Sequence, residues 1–312
     1  MLIGIRTIFY NISERWSCLR KRIMFENRDE IQKKGIIHSR RFFYKKIIFR
    51  PLRIYRVLTG HEINLRHVEV VLTTFCTLNC KGCSALMPLY TRDYKRHIDF
   101  EVIAKSIRGL TRVVDYVDRL RLLGGEPLLY PHLYDVLCLI QSQKMINQVE
   151  IVTNGTLMIK DERVIKILKD GKCMITISEF VRGGDAKLIQ QLKENGINYR
   201  MYSRGSWLDF GEVTEKGWNN AELRDNFLFC KEAHQQCNSV LNGILYLCPR
   251  ESHGANLALI PIKKNEYIDL LDDKITKKQM SSFVYRSSLI EACKYCGVSR
   301  KMNNIPVAEQ VL

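Results

Sequence analysis

The chain has 312 residues, of which 46% are hydrophobic and 26% charged, so we expect a folded protein with a substantial core rather than a disordered chain. No uninterrupted apolar run approaches the about 20 residues that span a bilayer. The N-terminus does not show the basic start, apolar stretch and small-residue cleavage site of a secretion signal, so we expect a cytoplasmic protein. Eleven cysteines in such a chain favour metal binding over a disulfide framework.

The net charge of +16 is concentrated near the N-terminus, where residues 1–66 contain 16 Lys and Arg against 5 Asp and Glu. Apolar side chains recur at steps of three and four through the first 25 residues, which predicts an amphipathic helix. We favour packing of this helix on its own protein over contact with an anionic membrane surface. Residues 40–56 interleave cations with aromatic side chains, which is typical both of nucleic-acid binding and of a packed helix with snorkelling cations.

From residue 67 onwards, short β-branched runs alternate with helical segments. Asp99 is the expected N-cap of the first of these helices. Strands are predicted at 67–73, 120–123, 149–153, 173–178 and 197–202, and further helices at 162–169 and 186–195. Repeated βα units predict a parallel sheet or a barrel.

The rhythm changes after residue 211. Residues 238–247 predict a β-hairpin with Asn242 and Gly243 at its turn, and a polar helical region is expected at 269–291. We therefore expect a basic helical N-terminal extension (1–66), a βα core (67–211) and a small cysteine-rich C-terminal module (212–312).

Three cysteines follow the first predicted strand with C-x3-C-x2-C spacing, Cys76, Cys80 and Cys83. Structural zinc sites and fully protein-bound iron clusters have four ligands, whereas three thiolates on a four-iron cluster leave one iron open. An open iron indicates catalysis. The alternative is a zinc knuckle whose fourth ligand lies elsewhere in the chain.

A Gly-Gly-Glu-Pro sequence stands at the end of the next strand, one βα unit after the cysteine loop. Together the two motifs resemble the radical S-adenosylmethionine (SAM) superfamily over residues 67–205, which implies a partial (β/α)6 TIM-type barrel. The resemblance implies that the cysteine loop holds a catalytic 4Fe–4S cluster and that the second motif binds the methionine amino group of SAM. The SAM-binding residues implied in this way are Gly124, Gly125, Glu126, Pro127, Asn154 and Ser178.

A second group of cysteines lies towards the C-terminus: Cys230, Cys237, Cys248, Cys293 and Cys296. The spacing from Cys230 through Gly243 to Cys248 resembles the auxiliary-cluster domains (SPASM and twitch types) of radical SAM enzymes, which implies a second 4Fe–4S cluster. Spacing leaves Cys230 and Cys237 in competition for one ligand position, and a structural zinc site is the alternative. The remaining isolated cysteines are expected to be packing residues, namely Cys18, Cys138 and Cys173.

The resemblance also implies the chemistry, that of an oxidoreductase. An electron donor such as flavodoxin or ferredoxin reduces the open cluster, SAM is cleaved to methionine and a 5′-deoxyadenosyl radical, and the radical abstracts hydrogen from a substrate. A short core, one auxiliary cluster and a basic extension resemble radical SAM proteins encoded with bacterial surface-polysaccharide genes, so we expect a sugar or nucleotide-sugar substrate.

Two alternatives stay open, a peptide-modifying maturase and, from another class, a zinc-stapled basic nucleic-acid-binding protein. The second leaves the Gly-Gly-Glu-Pro motif without a purpose, so nucleic acid is not the expected partner. Peripheral membrane contact through residues 1–66 is retained as a further hypothesis for the extension.

Overall fold

The computed structural model describes residues 2–26, 51–169, 172–180, 183–202, 205–230, 232, 237–285, 289–299 and 302–311. Two helices precede the sheet, α1 (Leu2–Glu26) and α2 (Pro51–Leu58). The part of the basic aromatic stretch at 40–50 lies outside the described residues, so its predicted roles stay predictions.

Five strands and four helices follow in strict alternation. The strands are β1 (Asn64–Thr73), β2 (Tyr116–Gly124), β3 (Ile146–Thr153), β4 (Cys173–Ser178) and β5 (Tyr199–Tyr202). The helices between them are α3 (Phe100–Val113), α4 (Leu133–Gln141), α5 (Glu162–Leu168) and α6 (Ala186–Glu194). The strands pair in parallel in chain order, with Val70 opposite Leu122 and Leu122 opposite Ile151. Asp99 caps α3 as expected, because its side chain accepts from the backbone N–H groups of Glu101 and Val102.

The chain after β5 continues through β6 (Trp207–Leu208), α7 (Asn220–Phe229), β7 (Cys237–Leu241), β8 (Ile244–Tyr246), α8 (Pro249–Asn256), β9 (Tyr267–Asp269), α9 (Lys277–Val284) and β10 (Asn304–Ile305). Strand β7 pairs in parallel with β1, and β8 and β9 add antiparallel strands beyond it. The hairpin turn is confirmed, since Asn242 and Gly243 both have positive φ, 51° and 86°. The prediction that a helical region begins at residue 269 is wrong, because Tyr267–Asp269 forms a strand that pairs with β8. The helix begins at Lys277.

The main sheet therefore has the order β5-β4-β3-β2-β1-β7-β8-β9, with six neighbouring parallel strands. Helices α3 to α6 cover one face, where alternate strand residues such as Val68, Leu120 and Ile151 are fully buried. The predicted α/β architecture is confirmed. Because the carboxyl ends of parallel strands share one edge, the loops after β1, β2, β3 and β4 meet there.

Helix α1 lies at the opposite edge, near the amino ends of β1 and β2. Glu14 forms an ion pair with Arg66 at 2.9 Å, and Lys21 pairs with Asp118. These contacts place the basic helix on its own protein, the interpretation favoured from the sequence.

The apolar stripe of α1 is only partly used in this packing. Leu19 and Ile23 are buried against Val57 of α2, whereas Ile12 and Trp16 are exposed. Among the described residues, no helix has both the length and the apolarity that a bilayer crossing requires.

Two of the three isolated cysteines, Cys18 and Cys173, are buried as expected. Cys138 is exposed, so its predicted packing role is wrong. Helix α4 buries Val136 and Ile140 towards the sheet, and Cys138 falls on the opposite side of the helix.

Candidate active site

The C-x3-C-x2-C loop begins three residues after β1 ends. Cys76 lies within electrostatic range of both Cys80 and Cys83, and the backbone N–H of Cys83 donates to the carbonyl of Cys80 at 3.3 Å. Burial raises the pKa of the Cys76 thiol to about 11 and also raises the pKa values of the Cys80 and Cys83 thiols. Because iron binds thiolates, cluster assembly at this loop must displace three protons.

None of the eleven cysteines, all of which lie in the described residues, forms a disulfide. Within the same residues, no three His, Cys, Asp or Glu side chains are arranged to hold a single metal ion. A four-iron cluster is larger than one ion and holds its thiolates further apart. The three thiols of the loop are therefore candidate ligands of an iron–sulfur cluster and not of a single metal ion.

The Gly-Gly-Glu-Pro motif is hydrogen-bonded directly to the segment that leads into the cysteine loop. The N–H of Gly125 donates to the carbonyl of Thr73 and that of Glu126 to the carbonyl of Phe75, both at 2.8 Å. A Cβ on Gly125 would lie 2.8 Å from the Cβ of Cys76 and overlap the Phe75 carbonyl. Glycine is thus required here by the close approach of two backbones.

The carboxylate of Glu126 is fully buried between the loops after β2 and β3. It accepts hydrogen bonds from the Leu128 N–H (3.0 Å), the Asn154 N–H (2.9 Å) and the Thr153 hydroxyl (2.7 Å). Burial raises the pKa of Glu126, and these three hydrogen bonds oppose the rise. The side chain therefore braces the two loops against each other.

Asn154 is brought to the cysteine loop. Its side-chain Nδ2 lies 3.7 Å from the Cys76 Sγ and donates to the Thr77 hydroxyl at 3.0 Å, while its Oδ1 accepts from the Thr156 N–H at 3.0 Å. Ser178 ends β4, three strands away from β1 in the sheet, and is buried. The predicted SAM contacts of Asn154 and Ser178 stay predictions. Independently of SAM, the Asn154 side chain contacts Cys76.

Four cysteines gather at the C-terminal side. Cys248 is the N-cap of α8, where its Sγ accepts from the Glu251 N–H at 3.3 Å, and it lies within electrostatic range of Cys230 and Cys293. Cys293 lies within range of Cys230 and Cys296. Burial raises the pKa of Cys293 to about 12. The four thiols come from the end of α7, the start of α8 and the segment after α9.

Cys237 lies elsewhere. It opposes His67 at the start of β7, and its electrostatic neighbours are Glu232, Glu69 and Arg121. Its pKa is raised well above the usual value by burial first and by these carboxylates second. The structure thus groups Cys230, and not Cys237, with the other C-terminal cysteines.

Residues 70–205 match the Radical SAM superfamily. This part of the chain is a radical SAM domain. The family recognised from the two motifs is confirmed, together with the cofactors of the family, a 4Fe–4S cluster and SAM.

Curated relatives of the chain include two GTP 3′,8-cyclases. That of Alkaliphilus oremlandii is 23% identical over 169 residues, 52% of this chain and 51% of the relative, and that of Campylobacter lari is 25% identical over 220 residues, 68% and 64% of the two chains. The chain spans about half the length of the first curated relatives it matches.

Among solved structures, BtrN in complex with AdoMet and 2-DOIA is similar at 16% identity with a TM-score of 0.45, covering 76% of this chain and 94% of that chain.

The residues present fit the cofactors of a radical SAM domain. The loop offers three thiols and packs through Cys76 and Cys83 against the buried side chains of Leu86 and Met87, which shield the sulfur ligands from water. The backbone of Gly125 lies against Cys76 without an intervening side chain, so a ligand on the cluster can approach the Gly-Gly-Glu-Pro backbone closely.

Sequence reasoning missed a layer of charged side chains on the sheet face turned away from helices α3 to α6. This ion layer consists of Glu69, Arg119, Arg121, Glu150 and Arg200. Arg121 lies 2.7 Å from Glu69 and 3.2 Å from Glu150, and Arg200 lies 2.5 Å from Glu150. The available signal was the placement of charges at alternate positions of otherwise apolar strands.

The two glutamates of the ion layer respond differently to burial. Burial raises the pKa of Glu69 to about 7, and Arg121 limits the rise. Burial also acts to raise the pKa of Glu150, but a hydrogen bond from Thr176 and the three arginines outweigh it and hold the pKa below the usual value. The layer contains three arginines and two glutamates, and Glu232 adds a third carboxylate close to Glu69 and Arg121.

Proposed function

We propose that the chain is a radical SAM oxidoreductase whose open 4Fe–4S cluster is held by Cys76, Cys80 and Cys83. The observation that carries the proposal is the pair of hydrogen bonds from Gly125 and Glu126 to the backbone just before Cys76. They hold the three-thiol loop and the candidate SAM-binding motif side by side at the carboxyl edge of the sheet. When bound, the cluster supplies the electron that cleaves SAM to methionine and a 5′-deoxyadenosyl radical.

The protein's own residues position and shield this chemistry. Asn154 holds the Cys76 side of the loop, and the Glu126 carboxylate locks the loop after β2 to that after β3. Because radical chemistry depends on holding the target C–H bond close to the reacting atom, a rigid edge built in this way favours selectivity.

We further propose that Cys230, Cys248, Cys293 and Cys296 hold an auxiliary 4Fe–4S cluster. Their mutual electrostatic contacts support this assignment, and the separate environment of Cys237 argues against its participation. Four thiolates leave no iron open, which suits electron transfer rather than direct substrate binding. A net oxidation of the substrate follows if this cluster accepts its electron.

For the substrate we propose a sugar or nucleotide-sugar. The three arginines of the ion layer support an anionic substrate, because they lie on the sheet face that helices α3 to α6 leave uncovered and attract negative charge. Glu69 lies four residues before the end of β1, so the layer is about 13 Å from the carboxyl end of that strand and acts on the site at a distance. Two relatives are named for their action on GTP, a nucleotide.

The test begins with anaerobic reconstitution of the full chain and measurement of iron, sulfide and zinc. About eight irons per chain are expected from two four-iron clusters, and reduction with dithionite or with a flavodoxin or ferredoxin should yield 5′-deoxyadenosine from SAM. Zinc without iron would instead support the zinc-stapled nucleic-acid-binding alternative.

The substrate class is tested by the stimulation of 5′-deoxyadenosine formation. Nucleotide-sugars should increase its rate, and a nucleotide-sugar deuterated at the reacting carbon should transfer deuterium to the 5′-deoxyadenosine. Stimulation by peptides alone would replace the proposed substrate with that of a maturase while leaving the radical SAM assignment in place. Cytoplasmic location is part of the same proposal, since the chemistry depends on a reducing compartment.

A further inference from the structure

A segment far from the cysteine loop in sequence lies directly against it. We call residues 302–311 the docking segment. Its strand β10 pairs with β6, and residues 309–311 then pair with the cysteine loop: the Lys81 N–H donates to the Glu309 carbonyl at 2.6 Å, and the Val311 N–H donates to the Asn79 carbonyl at 2.7 Å. Ile305 packs closely on Gly82, so that a Cβ on residue 82 would lie 2.2 Å from the Ile305 Cδ1.

The side chain of Gln310 is inserted between these backbone contacts. Its Oε1 accepts from the Asn79 N–H at 2.8 Å, and its Nε2 lies 3.3 Å from the Cys80 Sγ and 2.6 Å from the Ala308 carbonyl. The Oε1 partner is a donor, and both Nε2 partners are acceptors. The amide orientation is therefore fixed by its surroundings, with N–H directed at the sulfur.

We propose that Gln310 is a positioning residue that raises the reduction potential of the cluster on Cys76, Cys80 and Cys83. This inference rests on the proposed function, because it requires a cluster at that loop. Hydrogen bonds to cluster sulfurs are one of the means by which proteins set the potential. The reduced cluster carries one more negative charge than the oxidised cluster, so an N–H donor on Cys80 Sγ stabilises the reduced form more.

The docking segment also explains why this amide stays in place. Cys80 is buried, and the backbone pairs on both sides of Gln310 hold it at the loop. The segment follows Cys293 and Cys296 in the chain and is anchored to β6 by β10, so one stretch of backbone connects the C-terminal cysteines to the catalytic loop.

The test compares three full-length variants. Gln310→Glu keeps the acceptor for the Asn79 N–H but removes the donor to Cys80 and adds a negative charge. Gln310→Met keeps the length of the side chain and removes both polar functions. Glu309→Gln is the control. It changes the adjacent charge by one unit and removes only the exposed ion pair of Glu309 with the Lys81 ammonium at 3.8 Å, while the backbone contact between the two residues is retained.

The readout is the midpoint potential of the catalytic cluster, followed by electron paramagnetic resonance in a potentiometric titration. We expect Gln310→Met to shift the reduction equilibrium about tenfold towards the oxidised form, equal to about 59 mV for one electron, and Gln310→Glu to shift it further. Glu309→Gln should stay close to wild type. Wild-type potentials in both Gln310 variants at full iron content overturn the proposal.

Two further outcomes are decisive. If both Gln310 variants lose iron while the apoproteins unfold at the wild-type temperature, Gln310 is needed to bind the cluster and not to set its potential, which overturns the proposal. A lowered unfolding temperature with iron loss assigns the residue a structural role and overturns it. Failure of the wild-type protein to bind iron or cleave SAM is a different result, since it overturns the proposed function itself.

Discussion

Cys76, Cys80 and Cys83 lie within eight consecutive residues, whereas Cys230, Cys248, Cys293 and Cys296 come from three segments spread over 67 residues. The first group needs only one loop to close after β1, so its spacing is visible in the sequence. The second group depends on the packing of α7, α8 and the segment after α9, so adjacency in sequence says little about membership. The local group could be recognised, and the distributed one required the tertiary structure.

The largest expected effect separates the two groups. Replacement of Cys76, Cys80 and Cys83 together by Ala should abolish SAM cleavage and lower the iron content by about half, because the C-terminal cysteines keep about four irons. Iron analysis and 5′-deoxyadenosine formation measure the two effects. Complete loss of iron would contradict the independence of the two groups.

Membership of the second group is tested by a matched pair. Cys230→Ser should remove the auxiliary cluster, about four irons per chain, whereas Cys237→Ser should retain it because Cys237 faces Glu69, Glu232 and Arg121. Iron content and the visible spectrum report the difference. The opposite pattern would assign the ligand position to Cys237.

The close packing of the catalytic cysteine loop against the Gly-Gly-Glu-Pro motif depends on Gly125. Gly125→Ala should destabilise the protein by about 1–3 kcal/mol through overpacking against Phe75 and Cys76 and should weaken SAM binding. Gly205→Ala is the control, since a Cβ there meets no atom within 4 Å. Thermal unfolding and SAM titration measure the effects, and equal behaviour of the two variants would exclude the close approach as the reason for glycine.

The last prediction leaves both cysteine groups unchanged and concerns the ion layer beside Cys237. The folded pKa of Glu69 is about 7, above the ordinary value of 4.5. The folded state therefore binds more protons than the unfolded state between about pH 4.5 and 7, and stability falls as pH rises through this window.

Glu69→Gln should remove this fall, which is at most about 3 kcal/mol at about 1.4 kcal/mol per pKa unit. Denaturant unfolding at pH 5 and pH 7.5 compares the variant with wild type. A wild-type difference between the two pH values that persists in the variant would place the titrating group elsewhere.

Much of the fold was predictable because its signals are local. The alternation of β-branched runs with amphipathic segments predicted the five strands and three of the four helices between them, whereas α4 was not predicted. Asp99 and the Asn242-Gly243 turn were read correctly from their neighbours. The wrong predictions concern positions whose structure depends on residues that are distant in sequence. Tyr267–Asp269 forms a strand because β8 offers an unpaired edge, and Cys138 is exposed because other residues of α4 face the sheet.

The candidate site divides in the same way. The spacing of Cys76, Cys80 and Cys83 and the Gly-Gly-Glu-Pro motif one βα unit later are visible in the chain without its fold. The two motifs were therefore enough to recognise the radical SAM domain. The choice of Cys230 over Cys237, the approach of Gln310 to Cys80 and the pairing within the ion layer join residues between 18 and 230 positions apart. These contacts could not be read from the chain, because they depend on how the sheet and the C-terminal segments pack in three dimensions.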